Sequence, residues 1–285
     1  MSYDRREEIQ KRRANILGVV CGNACHGNGN ILVPGIGFEV CSCMKQYKRE
    51  ARYLHAGIPP KYWDFTFDEL VPEFCAQNAR TLDIIKAFID TVDIQVRNNQ
   101  GFFLYGERGL AKTGLCCLVL KAAIDRDLKA AFVDVPAFMG RYYNTFGNSA
   151  ERDVLLNDLA WLKNETDIMV VDSVDNLYQR SDKSTTWGGH QLTEFYNTVV
   201  YNTKKSVLLT SNISQEKLYT KLPMDIEDRI SELAELRLKF EGAGFRKGVT
   251  NADKITRLMV KPVAGKPFKG VASLTVNSKS KNSRV

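Results

Sequence analysis

The stretch GERGLAKT, Gly106 to Thr113, constrains this chain more than any other. It follows a short apolar run, Phe102 to Tyr105, and opens a helix-like run, Lys112 to Arg126. A strand that turns through a glycine-rich loop into a helix wraps a chain of phosphates in backbone N–H groups. The helix N-terminus adds the positive end of its dipole. In that arrangement Lys112 reaches the terminal phosphates and the Thr113 hydroxyl ligates Mg²⁺. The candidate nucleotide-binding set is therefore Gly106, Glu107, Arg108, Gly109, Leu110, Ala111, Lys112, Thr113 and Gly114. Ala111 stands where the usual pattern has a second glycine before the lysine, and its methyl group is small.

The chain after this loop alternates between strand and helix. Strands are expected at Phe102–Tyr105, Ala130–Val135, Ile168–Asp172, Ser206–Ser211 and Leu236–Phe240, with helices at Phe138–Phe146, Val154–Trp161, Gln191–Thr203, Ser214–Leu222 and Asp225–Glu235. Such alternation predicts an α/β fold whose mainly parallel five-stranded sheet is covered on both faces. Before the loop, Leu82, Ile85, Phe88, Val92 and Val96 recur at helical spacing, which predicts one amphipathic helix over Ala79–Arg97.

Three strand ends carry chemistry. IMVVDS ends a buried run on Asp172, a carboxylate suited to hold Mg²⁺ and its waters beside the phosphate loop. The position after it, where hydrolysing enzymes of this kind place a water-polarising Glu, is Ser173, and a hydroxyl is a poor base at neutral pH. Nucleotide binding is thus better supported than fast turnover. LLTSN ends the next strand on Asn212, either a group that orients water or senses phosphate, or an ordinary helix cap. Arg229 and Arg246 follow, each a candidate for neutralising phosphate charge, from a neighbouring copy or from the same chain. Arg229 equally suits a salt bridge to Glu232 or Glu235 on its own helix. Arg141, Tyr142 and Tyr143 place a cation beside aromatic rings, the chemistry of single-stranded DNA binding, although aromatics at helical spacing more often pack in a core.

The N-terminal part has different logic. Cys21 and Cys25 form one close pair, Cys41 and Cys43 another, with fifteen residues between the pairs. Two such pairs on two loops fit a tetrahedral Zn²⁺ site, with His26 as an alternative ligand and a redox role as the alternative use. The segment from there to Leu70 holds AGIPPKYWDFTF, whose prolines stop a helix and whose aromatics look anchored on a domain surface. The charged stretch Tyr3 to Asn15 reads as an exposed helix or frayed end.

Hydrophobic residues make up 44% and charged residues 26% of the chain, the balance of a soluble globular protein, and a cytoplasmic setting follows by default. Between Lys261 and Val285 stand Lys261, Lys266, Lys269, Lys279, Lys281 and Arg284 and no acid, which suggests an anionic partner or a solvated end.

The order of these features resembles the DnaC/DnaI-like AAA+ helicase loaders of bacteria and phages: a cysteine-rich module, the AGIPPKYWDFTF linker, then GERGLAKT, VVDS, LLTSN, DRI and GFR, over roughly residues 20 to 247. The resemblance implies an AAA+ P-loop NTPase domain over 79–262, a zinc-binding partner-docking module over 1–50, a linker over 51–78 and a basic tail over 263–285. It implies ATP, Mg²⁺ and Zn²⁺ as cofactors. Self-association into a ring or spiral, a hexameric replicative helicase and single-stranded DNA are the implied partners, with no membrane. It makes Lys112 and Thr113 the phosphate and Mg²⁺ residues, Asp172 the metal carboxylate, Asn212 sensor 1, Arg229 the arginine finger and Arg246 the sensor 2 arginine. An IstB-like transposition helper and a weakly hydrolysing, ATP-switched adaptor are the competing readings. The first usually lacks the cysteine module, and Ser173 favours the second.

Overall fold

A computed structural model describes residues 21–22, 24–145, 148–175, 205–219, 230, 232–233 and 236–242. The chain divides into two compact units, Met1–Lys247 and Gly248–Val285, and every described residue belongs to the first. The charged N-terminal stretch, the expected helix Gln191–Thr203, most of Asp225–Glu235 and the basic tail lie outside the described residues.

A small antiparallel hairpin comes first, β1 (Asn30–Val33) against β2 (Gly37–Val40). Helix α1 (Ser42–His55) follows at once. Cys43 lies buried at its start, and Tyr53 and Leu54 are buried in the main core at its end. One rigid rod therefore ties the cysteine pairs to the domain. Arg49 and Arg52 fasten it by ion pairs to Asp125 and Asp127.

The segment after α1 is held tightly. The N–H of Phe132 donates to Ala56 O at 2.7 Å. Ile58, Trp63, Phe65 and Leu70 are buried, and Trp63 Nε1 donates to Ile58 O at 2.8 Å. Lys121 donates to three carbonyls of this segment, Tyr62 O at 3.2 Å, Trp63 O at 3.0 Å and Phe65 O at 2.6 Å. The prolines and aromatics thus form a folded strap on the domain surface.

Helices α2 (Pro72–Gln77), α3 (Ala79–Asp90) and α4 (Val92–Arg97) come next. The sequence predicts one helix over Ala79–Arg97, but the structure breaks it at Thr91. Its hydroxyl donates to Ala87 O at 2.8 Å, and side-chain competition for a helix carbonyl of this kind bends or ends helices. Leu82, Ile85, Phe88, Val92 and Val96 still face the core across the break.

The main sheet comprises β3 (Phe102–Tyr105), β4 (Ala130–Asp134), β5 (Ile168–Asp172), β6 (Ser206–Ser211) and β7 (Leu236–Lys239). All pairings are parallel, in the order β4-β5-β6-β3-β7. Alternate residues feed two cores, Phe102, Leu104, Val170 and Leu208 on one face, and Phe103, Val171, Leu209 and Met169 on the other. The period of two along a strand is the cause, and burial on both faces explains the continuous apolar runs in β3, β5 and β6. Helix α5 (Lys112–Asp125) packs on the first face with α1, α3 and the strap. Helices α6 (Val135–Asn144) and α7 (Ser149–Asn164) pack on the second, and the short α8 (Gln215–Tyr219) follows β6. Both α6 and α7 start earlier than expected, because side-chain caps lie upstream of their apolar runs. Asp134 accepts the N–H of Ala137, and Asn148 accepts that of Glu151. Among the described residues no helix is long and apolar enough to cross a membrane.

Candidate nucleotide site and cysteine cluster

Strand β6 lies between β3 and β5, so three strand ends meet at one place. The end of β3 leads into the glycine-rich loop, β5 ends on Asp172, and β6 runs into Asn212. Crevices outside the carboxyl ends of parallel strands are where such sheets bind ligands. At the start of the loop Gly106 has φ +146°, and a Cβ there would lie 2.5 Å from Phe240 O. Only glycine lets β7's exit pass so close. Ala111 adopts φ 55°, the left-handed region. The backbone at this position is the one glycine favours, and alanine carries it with strain of about 1–2 kcal/mol.

Helix α5 is buried almost all round, so its first turn is fixed by the core. Gly114, the residue after Lys112 and Thr113, is in the first turn because the strap crosses there. A Cβ would come within 2.8 Å of the Phe65 ring.

Lys112 is buried, and its Nζ donates to Gly106 O and Glu107 O, each at 2.8 Å, and to Asn212 Oδ1 at 3.3 Å. Burial pulls its ammonium down to about 8, an effect that the nearby Asp175 and Asp172 oppose. Asp172 Oδ1 accepts from the hydroxyls of Thr113 at 2.8 Å and Thr210 at 2.7 Å. Burial raises the Asp172 carboxyl above its ordinary value in spite of those donors. Ser173 sits at φ 63°, with its N–H donating to Thr210 Oγ1 at 2.9 Å and its Oγ to Asp172 Oδ2 at 3.3 Å.

Lys112, Thr113, Asp172 and Asn212 are thus brought together. Two residues join them that the sequence alone does not single out as participants. Thr210 couples Asp172 to Ser173, and Asp175 holds Asn212 by its backbone N–H at 2.8 Å and its side-chain amide at 3.1 Å. The signal for Asp175 was the second acid of D-S-V-D, three residues after Asp172.

The residues fit a magnesium nucleotide. A buried ammonium stands at the loop, and a hydroxyl and a carboxylate lie within hydrogen-bond distance of each other beside it. Thr113 and Asp172 would hold the metal, which would neutralise phosphate charge.

The remaining candidates are placed differently. Arg141 pairs with Asp158 at 2.8 Å, and Tyr142 leans on the second core. The Tyr143 side chain, Arg229 and Arg246 lie outside the described residues.

Cys21, Cys25, Cys41 and Cys43 have sulphurs all within 4.8 Å of one another. Cys25 Sγ is 3.6 Å from that of Cys21 and 3.4 Å from that of Cys43. Tetrahedral Zn–S bonds of about 2.3 Å place sulphurs about 3.8 Å apart, so the four fit one zinc ion. Burial pushes the Cys43 thiol up to about 12, whereas the backbone N–H of Cys25 draws Cys21 down to about 6. A divalent cation would hold all four as thiolates. His26 is exposed, and four cysteines complete the set without it.

The strand order, with β6 inserted between the phosphate-loop strand and the Asp172 strand, is that of an AAA+ P-loop NTPase fold. The crystal structure of the DnaC helicase loader has a similar fold, with 22% identity and a TM-score of 0.51 over 64% of this chain and 100% of that one. More distantly similar are the replication initiator DnaA bound to AMPPCP and single-stranded DNA (18% identity, TM-score 0.49, 65% of this chain and 51% of that one) and DnaI (16%, 0.47, 66% and 94%). No protein-family profile matches the sequence, and no curated protein is similar to it.

Proposed function

We propose that this chain is an ATP-dependent replication protein that helps place a hexameric replicative helicase on single-stranded DNA. The observation that carries the reading is the convergence of Lys112, Thr113, Asp172 and Asn212 at one end of a sheet shared with the DnaC helicase loader. ATP binds with Mg²⁺ at Lys112 and Thr113. Copies of the chain associate in a ring or spiral, and Arg229 of one copy reaches the phosphates of the next while Arg246 acts on its own. DNA follows Arg141, Tyr142 and Tyr143, which requires Arg141 to leave Asp158.

The N-terminal hairpin is the docking module for the helicase. Leu32, Ile36 and Phe38 are 69%, 72% and 81% exposed on it, and Leu32 and Phe38 face each other across the strands. A group of apolar side chains left in water on so small a unit marks a binding surface. The basic tail adds attraction to nucleic acid.

Mixing the chain with the replicative helicase of its host, ATP and circular single-stranded DNA tests this. Helicase transferred to DNA only when the chain and ATP are both present supports the reading. Co-purification with a transposase instead, and no transfer, overturns it. Ser173, turned toward Asp172 and offering no carboxylate, favours the second reading of an adaptor in which ATP sets assembly without steady hydrolysis. Phosphate release measured with and without DNA separates the two.

A further inference from the structure

Asn212 stands between a donor and an acceptor. Its Nδ2 lies 3.3 and 3.1 Å from the two carboxylate oxygens of Asp175, and its Oδ1 lies 3.3 Å from Lys112 Nζ. An ammonium only donates, and an ionised carboxylate only accepts. Turning the amide over would set NH₂ against the ammonium and oxygen against the carboxylate. The chemistry of the two neighbours therefore selects one placement of an amide whose two ends look alike. Asp175 is itself pinned, since it is buried and its Oδ1 accepts the Asn212 backbone N–H at 2.8 Å.

We propose that Asp175 is a positioning residue that locks the Asn212 amide with its oxygen toward Lys112, so that this strand end presents an acceptor to the phosphate pocket. The inference rests on the ATP-site reading above. An amide oxygen repels the oxygens of a terminal phosphate but accepts a hydrogen bond from water. Asn212 then orients the attacking water and adds no attraction for a triphosphate over a diphosphate. In the step it assists, the water oxygen bonds to the terminal phosphorus and the bond from that phosphorus to the ADP oxygen breaks. The water's proton leaves with the released phosphate, because an amide is too weak a base to keep it. Ser173 does not take this part, because its hydroxyl is directed at Asp172.

Asp175→Asn keeps the shape and removes the constraint, because an amide at 175 both donates and accepts and lets Asn212 turn its NH₂ toward the phosphates. The full chain is titrated with ADP and with a non-hydrolysable ATP analogue, and steady-state phosphate release is followed. The expected result is a ratio of analogue to ADP affinity raised about tenfold, as befits a new hydrogen bond to a charged group, and turnover lowered about tenfold through loss of orientation. Unchanged ratio and unchanged turnover overturn the proposal. Should Asp175→Asn fail to fold, Asn212→Ala decides. It is expected to lower turnover without lowering the analogue-to-ADP ratio, and a ratio that falls tenfold would show that the amide held the terminal phosphate and overturn the assignment. A wild-type chain that binds neither nucleotide sinks the ATP-site reading and this inference with it, a result visible before either variant is made.

Discussion

The nucleotide site and the cysteine cluster are built by opposite means. Asp172 and Asn212 stand at the ends of fully buried strands and Lys112 opens the buried helix α5, so apolar packing would hold their backbone in place without any ligand. The hairpin has almost no apolar interior. Among its described residues the buried side chains beside Ile31 and Tyr47 are cysteines, while Leu32, Ile36 and Phe38 face outward. One region is shaped first and binds later. A metal ion held by the four cysteines would give the other its shape, as in small metal modules.

The largest expected effect tests that dependence. Chelation of zinc, or Cys43→Ser, releases about one zinc per chain and loosens the hairpin, read as rapid hydrogen exchange across β1 and β2. The sheet stays protected. Equal loss of protection in β5 and β6 would show the two regions to be one folding unit.

Next comes the site itself. Lys112→Ala lowers ATP affinity about a hundredfold, because a buried charge-assisted contact is lost, and leaves the sheet folded. Titration with a fluorescent ATP analogue measures it, and undiminished affinity refutes the site.

A packing change follows in size. Gly114→Ala drives a methyl into the Phe65 ring and lowers stability by about 1–2 kcal/mol, the overpacking cost less some gain in helix propensity. Urea unfolding reads it, and Phe65→Leu in the same chain restores part of the loss.

The two regions also part on pH. The Lys112 ammonium lies near 8 in the free protein, and bound phosphate holds it protonated. Binding above that value must take up a proton, so affinity is full at pH 7 and about tenfold lower at pH 9. Zinc retention changes the other way, because protons compete for thiolates and the metal leaves as pH falls. A nucleotide affinity that rises between pH 7 and 9 would contradict the assignment of Lys112.

The smallest effect is at the left-handed alanine. Ala111→Gly removes strain and adds freedom to the unfolded chain, a net gain of up to about 1 kcal/mol, seen as a slightly higher unfolding midpoint.

Much of this was readable in the residues. GERGLAKT between an apolar run and a long helix points to a phosphate loop, because the strand, the glycine-rich turn and the helix N-terminus are neighbours in the chain. Strand positions at Phe102–Tyr105, Ile168–Asp172 and Ser206–Ser211 agree with the structure because buried parallel strands are continuous apolar runs. The four cysteines were legible for a similar reason, since close pairs of one soft ligand type have few other uses. The break at Thr91 and the early starts of α6 and α7 were not, because each turns on a single side chain choosing between backbone partners.

By itself the amino-acid sequence determined the glycine-rich loop between strand and helix, the four paired cysteines and the class of the fold, all of which rest on neighbours in the chain and on period. Tertiary structure alone decided what stands beside the loop. Asp175 and Thr210 count because β6 inserts between β3 and β5, which brings residues 172 to 175 against 210 to 212. Strand order depends on which apolar faces pack together, and no local pattern encodes it. The direction of the Asn212 amide depends on charges that meet only after that packing is complete.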